Sequence, residues 1–204
     1  MADAKIKILF LAANPTNETR LRLGAESTKI KEALQLSSAR DQFIFAENHA
    51  VRVDSLMRLV LQEDPHIVHF SGHGSNEGAL IFEDHIGNAM EADPVGIANL
   101  FKLAGENTRL IVLNACYSRR QANELAKHVD AVIGMDSAIL DETAVAFSIG
   151  LYEALGERRD VNRSFELAKT YVQLQSLPDA ELPQLIERKG VPASSISLLP
   201  QYPQ

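Results

Sequence analysis

Apolar residues fall along this chain in two alternating rhythms, short unbroken runs and helical spacings. The first run, Lys5–Ala13 (KIKILFLAA), is closed by the turn dipeptide Asn14-Pro15 and predicts a buried strand. From Arg20 to Leu36 the apolar positions Leu21, Ala25, Ile30, Ala33 and Leu34 sit among charges at helical spacing. Phe43–Ala46 is rich in β-formers. Val53–Leu61 predicts a second helix, stopped by Asp64-Pro65, and Ile67–Ser71 the next strand. The rhythm then changes: Ala79–Phe82 predicts a short strand followed by a loop. Asp93-Pro94 offers an N-cap and a proline at the first helical position, opening a helix to about Leu103. Arg109–Ala115 (RLIVLNA) is the most uniformly apolar strand. Gln121–Lys127 follows as a helix, Ala131–Met135 as a strand, and two further helices are expected, one opened by Asp141-Glu142-Thr143 and reaching Leu155, the other over Val161–Leu174. Strands this apolar are buried on both faces, and their alternation with helices predicts an α/β fold. The sheet is expected to be doubly wound and mostly parallel, with helices on both sides.

From about Leu177 the composition shifts to Pro and Ser, in LPDAELPQ and VPASSISLLPQYPQ. The expected organisation is one domain over 1–176, then a segment over 177–204 that forms a terminal hairpin or a linker. With 204 residues, 46% of them hydrophobic, the chain can build one sizeable core. No apolar run approaches the ~18 residues of a membrane span. The first residues, MADAKIKILFLAANP, lack the cationic flank of a signal peptide, so a cytoplasmic protein is expected. A formal net charge of −7 argues against non-specific binding to nucleic acid or anionic membrane. The single cysteine, Cys116, rules out an internal disulfide and argues against a cysteine-based zinc cluster.

In an open α/β sheet, function gathers at the carboxyl ends of the strands. Two segments end there with unusual residues. In HFSGHGSNEGALIFED (69–84), a strand delivers His73 between Gly72 and Gly74; in LNACYS (113–118), another leaves Cys116 just past its end. Neighbouring strands lie ~4.8 Å apart, so the two residues could meet as a base and a nucleophile. The glycines would let the chain bend and bring backbone N–H groups to a substrate, with those of Gly74 and Cys116 as candidate oxyanion donors. Alone, a cysteine at a strand end is often just a small hydrophobe, and a lone histidine is more often structural. The pair together points to catalysis.

Three rival chemistries fit less well. The run from Gly72 to Gly78 resembles a glycine-rich phosphate loop, but a strand follows instead of a helix N-terminus, and no Gly-Lys-Ser/Thr is present. A metal site from His66, His69 and His73 fails because His66 and His69 face opposite sides of a strand, and His69 to His73 spans ~13 Å. A serine hydrolase would need a Gly-x-Ser-x-Gly elbow, which is missing. His49, His66, His85 and His128 are read as solvated or structural, and Arg119-Arg120 as a solvated helix start.

IVHFSGHG followed by LIVLNACYS resembles the CHAT domain, a caspase-like cysteine peptidase module related to separase, caspases and gingipains. KILFLAANP and VDAVIGMDSAILDETAVAFSIGLYEALG extend the resemblance over roughly residues 5–175. It implies a caspase-like fold, His73 as catalytic histidine, Cys116 as nucleophile, and peptide hydrolysis through a thioester with no metal or cofactor. It also implies a protein or peptide substrate and a regulatory or sensor partner, often in bacterial defence. The sequence departs from many relatives in having Met135-Asp136-Ser137 and no tryptophan after Gly134, so an altered substrate pocket is expected. Asp136 and Asp141 should both reach the rim, where a carboxylate would select Arg or Lys at P1; related separases and gingipains make that basic choice. For Asp141 the plain alternative is helix capping. A catalytically silent interaction module is the alternative function. A TIR-like nucleotide-handling domain, suggested by the KILFLAANP strand, is weaker because it needs a groove-side helix glutamate that the sequence does not reveal.

Overall fold

The computed structural model describes residues 5–200; the outermost residues of the 1–176 and 177–204 segments lie outside the described residues. In chain order the elements are β1 (Ile6–Ala12), α1 (Leu23–Leu36), β2 (Phe43–Asn48), α2 (Val53–Glu63) and β3 (Ile67–Ser71). Three short strands follow, β4 (His73–Gly74), β5 (Leu80–Glu83) and β6 (Ala89–Glu91). The remainder is α3 (Pro94–Ala104), β7 (Leu110–Asn114), α4 (Arg119–Leu125), β8 (Ala131–Met135), α5 (Asp141–Gly156), α6 (Val161–Leu174) and β9 (Pro183–Glu187).

Six strands form the main sheet in the order β2-β1-β3-β7-β8-β9. All neighbours are parallel except β9, which runs antiparallel to β8. This is the expected doubly wound, mostly parallel α/β sheet. Alternate residues of each strand serve opposite cores. Ile6, Ile8 and Phe10 of β1 pack with Ile30 of α1 and Phe147 of α5, whereas Leu9 and Leu11 pack with Leu59 of α2 and Ile97 of α3. Helices therefore cover both faces, with α1, α5 and α6 on one and α2, α3 and α4 on the other. None of the described helices is long and apolar enough to cross a membrane.

Local chemistry sets several boundaries. Asp93 caps α3 by accepting from the N–H groups of Val95 and Gly96, with Pro94 at the first helical position. At the end of α2, Asp64 turns left-handed at φ 44°. The expected strand Ala79–Phe82 is β5, and it belongs to a separate antiparallel sheet, β4-β5-β6. The Asp84 carboxylate shapes its hairpin turn by accepting from Ile86 N–H at 2.8 Å and Asn88 N–H at 2.9 Å. The Pro- and Ser-rich segment from 177, expected as a hairpin or linker, contributes β9 to the edge of the main sheet. It then lays Ala193, Ile196 and Leu199 on the core shared by α1, α5 and α6.

Glu47, at the end of β2, ties that edge to α1. Its carboxylate accepts from Ser27 Oγ and Lys31 Nζ, both at 2.5 Å, and meets His49 Nε2 at 2.6 Å. Burial works against its charge, but bonds from Lys31, Ser27 and His49 outweigh it and hold the carboxyl at about 2 instead of the ordinary 4.5. A carboxylate depressed on folding contributes stability above its unfolded pKa and loses it as the pH falls through the folded one. Chemical denaturation should therefore show stability declining from about pH 4.5 toward about 2. Glu47→Gln should be less stable at neutral pH and should flatten that decline. An equally steep decline in Glu47→Gln would assign the acid sensitivity to other groups.

Candidate active site

The parallel ladder of β3 and β7 pairs Ser71 with Asn114 as the last residues of the two strands. Two residues further on stand His73 and Cys116. The strands are central neighbours, so both residues leave the same edge of the sheet side by side. Gly72 prolongs the ladder by donating its N–H to the Asn114 carbonyl at 3.2 Å.

The glycines around His73 serve close approach more than bending. Neither adopts a positive φ; among the described glycines only Gly78, Gly87 and Gly190 do. A Cβ on Gly72 would stand 2.8 Å from the Ala13 carbonyl oxygen, and one on Gly74 only 2.0 Å from the Cys116 carbonyl oxygen. The chain carrying His73 thus threads between the ends of β1 and β7, where only main chain fits.

Cys116 is partly buried, with Sγ 4.0 Å from the Ile139 carbonyl oxygen. The next residue, Tyr117, is left-handed at φ 54° and donates its N–H to the Ser137 carbonyl at 3.3 Å. A non-glycine held there stores on the order of 1–3 kcal/mol of strain, so its surroundings must over-determine it. Buried Ser118 does part of this. Its hydroxyl donates to the Leu113 carbonyl at 3.1 Å and accepts from Met135 N–H at 2.9 Å, stapling the turn to β8.

His73 Nε2 lies 2.8 Å from the main-chain carbonyl oxygen of Thr19. A carbonyl only accepts, so Nε2 carries the proton and Nδ1 of the neutral ring is the basic nitrogen. The loop offering this carbonyl is braced. The Asn14 amide brackets it by donating to the Leu21 carbonyl and accepting from Leu21 N–H, both at 3.2 Å. Asn17 Oδ1 accepts from Ala89 N–H in the small sheet at 2.7 Å. A partner of this kind leaves no signature in the sequence, because every residue type supplies a carbonyl.

The two aspartates both carry arginine partners. Asp136 follows β8 and pairs with Arg119 at 2.7 Å; Asp141 pairs with Arg22 at 2.8 Å. Leu140 occupies the N-cap of α5 without a side-chain cap bond, and Asp141 is the first helical residue, so its carboxylate does not cap the helix. Residues 137–140 between the aspartates form the loop that touches Tyr117 and Cys116.

Under this rim lies a polar cluster that the sequence did not reveal. Glu26 of α1 is 3% exposed and His69 fully buried. Glu26 Oε1 accepts from His69 Nε2 at 3.0 Å, Asn114 Nδ2 at 2.6 Å and Ser148 Oγ at 2.8 Å, while Oε2 accepts from Ser71 Oγ. His69 Nδ1 faces the Tyr152 hydroxyl at 3.2 Å. Burial pushes the Glu26 carboxyl up, but the bonds and charge of His69, with the hydroxyls of Ser71 and Ser148, outweigh it and hold the group below its ordinary range. Burial, and then the Glu26 charge, raise Tyr152 well above its usual value, so its hydroxyl stays protonated. Glu26 is a helix glutamate near the groove, the residue type a nucleotide-handling site would need. Its carboxylate is enclosed by four protein donors and offers no open face.

The pattern of the CHAT domain family matches residues 2–179. A "Roc-COR-CHAT protease" from an unknown prokaryotic organism is 24% identical over 187 residues, covering 87% of this chain. The chain spans only 17% of that relative's length. A secreted C11 cysteine protease from Bacteroides thetaiotaomicron, solved with an irreversible peptide inhibitor, superposes with a TM-score of 0.67 at 12% identity, over 91% of this chain and 67% of its own. The Arg-specific cysteine proteinase gingipain R gives 0.63 at 13% identity, over 91% and 46%. Caspase-1 from Spodoptera frugiperda gives 0.58 at 13% identity, over 90% and 86%. At these identities the structures report a shared fold, the sheet of the caspase-like cysteine peptidases.

Proposed function

Because the chain belongs to the CHAT domain family and has the caspase-like fold, we propose that it is a cysteine endopeptidase acting through His73 and Cys116. The observation that carries this reading is the contact of the two rim turns. Gly74 lies so close to the Cys116 carbonyl that only a glycine fits, and this contact of the turns bearing His73 and Cys116 supports their acting together. In the proposed reaction, His73 Nδ1 takes the thiol proton and the Cys116 thiolate attacks the scissile carbonyl carbon. The oxyanion is met by the N–H groups of Gly74 and Cys116. Collapse breaks the C–N bond, His73 returns the proton to the leaving amine, and a thioester remains. Water, deprotonated by the same nitrogen, releases the acid and restores the thiol. The Thr19 carbonyl keeps the ring in the tautomer this needs.

The proposed substrate preference is Arg or Lys at P1, read by Asp136 or Asp141. Each aspartate now faces an arginine; the Asp136–Arg119 pair is exposed to water at 47% and 54%, while in the other pair Arg22 is exposed and Asp141 half-buried. Exposed pairs contribute only about 0–1 kcal/mol, so an incoming basic side chain can exchange for the resident one. Fluorogenic peptides differing only at P1 should be cleaved fastest after Arg or Lys. Either Asp136→Ala or Asp141→Ala should erase that preference. Faster cleavage after Asp, or indifference to P1, would refute the assignment.

Control by a partner protein or domain, as a cytoplasmic effector in bacterial defence or signalling, completes the proposal. The relative's name, which sets CHAT beside Roc and COR, supports it.

A further inference from the structure

The strand period explains how the buried cluster arises. Ile67, His69 and Ser71 of β3 and Leu110, Val112 and Asn114 of β7 alternate onto the face covered by α1 and α5. Deep in the sheet this face is apolar. At the carboxyl ends it turns polar, and His69, Ser71, Asn114 and Ser148 all donate to one carboxylate, Glu26.

Resting on the His73–Cys116 reading above, we propose that Glu26 is a positioning residue of the peptidase site. Its carboxylate clamps the last residue of β3 to the last residue of β7 and so sets the separation of His73 and Cys116. The two strand ends are joined by more than their backbone ladder, because Ser71 and Asn114, register partners, both donate to Glu26. The Asn114 amide is committed to this bond: its Oδ1 is buried with no hydrogen-bond partner, and a flipped amide would turn that oxygen onto the carboxylate. Ser148 of α5 and His69 complete the ring, and the His69 ring stacks on Phe10 of β1 with centroids 5.1 Å apart. The clamp thus references the rim to three strands and two helices. Displacing a reacting group by ~1 Å can cost about 10²-fold in rate, so an element two residue pairs below the dyad has leverage over it.

Cys116 is the only thiol in the chain, so its alkylation by iodoacetamide reports the dyad directly, with or without a peptide substrate. Thiolate is the reactive form, and in the proposed reaction it is His73 that takes the thiol proton. Alkylation at mildly acidic pH and peptide turnover should be measured for wild type, His73→Ala, Glu26→Ala, Glu26→Gln and Val172→Ala. The last is a core truncation in α6, outside the Glu26 hydrogen-bond cluster, that tests for a merely structural loss. Glu26→Ala should slow alkylation to near the His73→Ala level and lower kcat by roughly 10–100-fold with KM little changed. Glu26→Gln should recover both to within about threefold, because its amide oxygen can still accept from two of the Oε1 donors, Asn114 of β7 among them, while its NH₂ donates to the Ser71 hydroxyl oxygen. Val172→Ala should react like wild type.

A folded Glu26→Ala protein with wild-type alkylation would overturn the proposal. So would equal losses in Glu26→Ala and Val172→Ala, or a Glu26→Gln protein as slow as Glu26→Ala. If Glu26→Ala does not fold, Ser71→Ala decides: it should slow alkylation by about threefold, and no change would overturn the clamp. His73→Ala alkylating like wild type would bring down the dyad itself, whereas a slow His73→Ala beside a fast Glu26→Ala removes only the clamp.

Discussion

Cys116→Ala and His73→Ala are each expected to abolish peptide cleavage, by on the order of 10³-fold or more, while leaving the fold intact. Neither side chain belongs to the core. Cys116 is only partly buried, and His73 makes its hydrogen bond at an exposed position, so thermal unfolding should change little. Without the thiol no thioester forms; without the imidazole no group in the proposed pair takes the thiol proton or protonates the leaving amine. The two act as a unit, so the double variant should be no worse than either single one. Substantial cleavage remaining in Cys116→Ala would mean that another nucleophile, or a contaminant, does the work. An active double variant would reject the pair altogether.

Gly74→Ala should be nearly as damaging with both reacting groups still present. The added Cβ would stand 2.0 Å from the Cys116 carbonyl oxygen and 3.1 Å from its carbonyl carbon, and these are main-chain atoms that no rotamer change can move aside. The turns must separate. Overpacking of this kind costs about 1–3 kcal/mol of stability, and ~1 Å of added separation costs about 10² in turnover. The control is Gly24→Ala on α1, where a Cβ meets nothing within 4 Å and alanine favours the helix. Differential scanning calorimetry and kcat on the same preparations check both effects. If Gly74→Ala keeps wild-type turnover, contact between the turns is not what holds the pair together.

Periodicity made the central architecture legible. Runs such as Ile67–Ser71 and Arg109–Ala115 report burial on both faces, and that alone predicts a parallel sheet sandwiched by helices. The same runs announced their own ends, which placed His73 and Cys116 on the rim of an open sheet. Elements without a run were missed. Ala89–Glu91 is three residues long and partly exposed, and Pro183–Glu187 sits in a proline-rich stretch whose pairing depends on the free edge of β8. The glycines flanking His73 were noticed for bending and for bringing backbone N–H groups to a substrate, but not for the clearance they give against neighbouring main chain. A bend can be expected from glycine itself, whereas clearance depends on which backbones lie opposite.

By itself the sequence determined the order of the central strands and helices, the faces they bury, and the histidine and cysteine that two of the strands deliver. Only the tertiary structure decided what surrounds that pair. Glu26 reads in sequence as one more charge on an amphipathic helix, yet its partners His69, Asn114 and Ser148 lie 43, 88 and 122 residues away. The Thr19 carbonyl comes 54 residues before the histidine it orients and is main chain, which every residue type offers alike. Hydrophobic burial is written locally, because it needs only a repeating face. Hydrogen bonding between distant residues is settled when the packed sheet brings one particular donor to one particular acceptor.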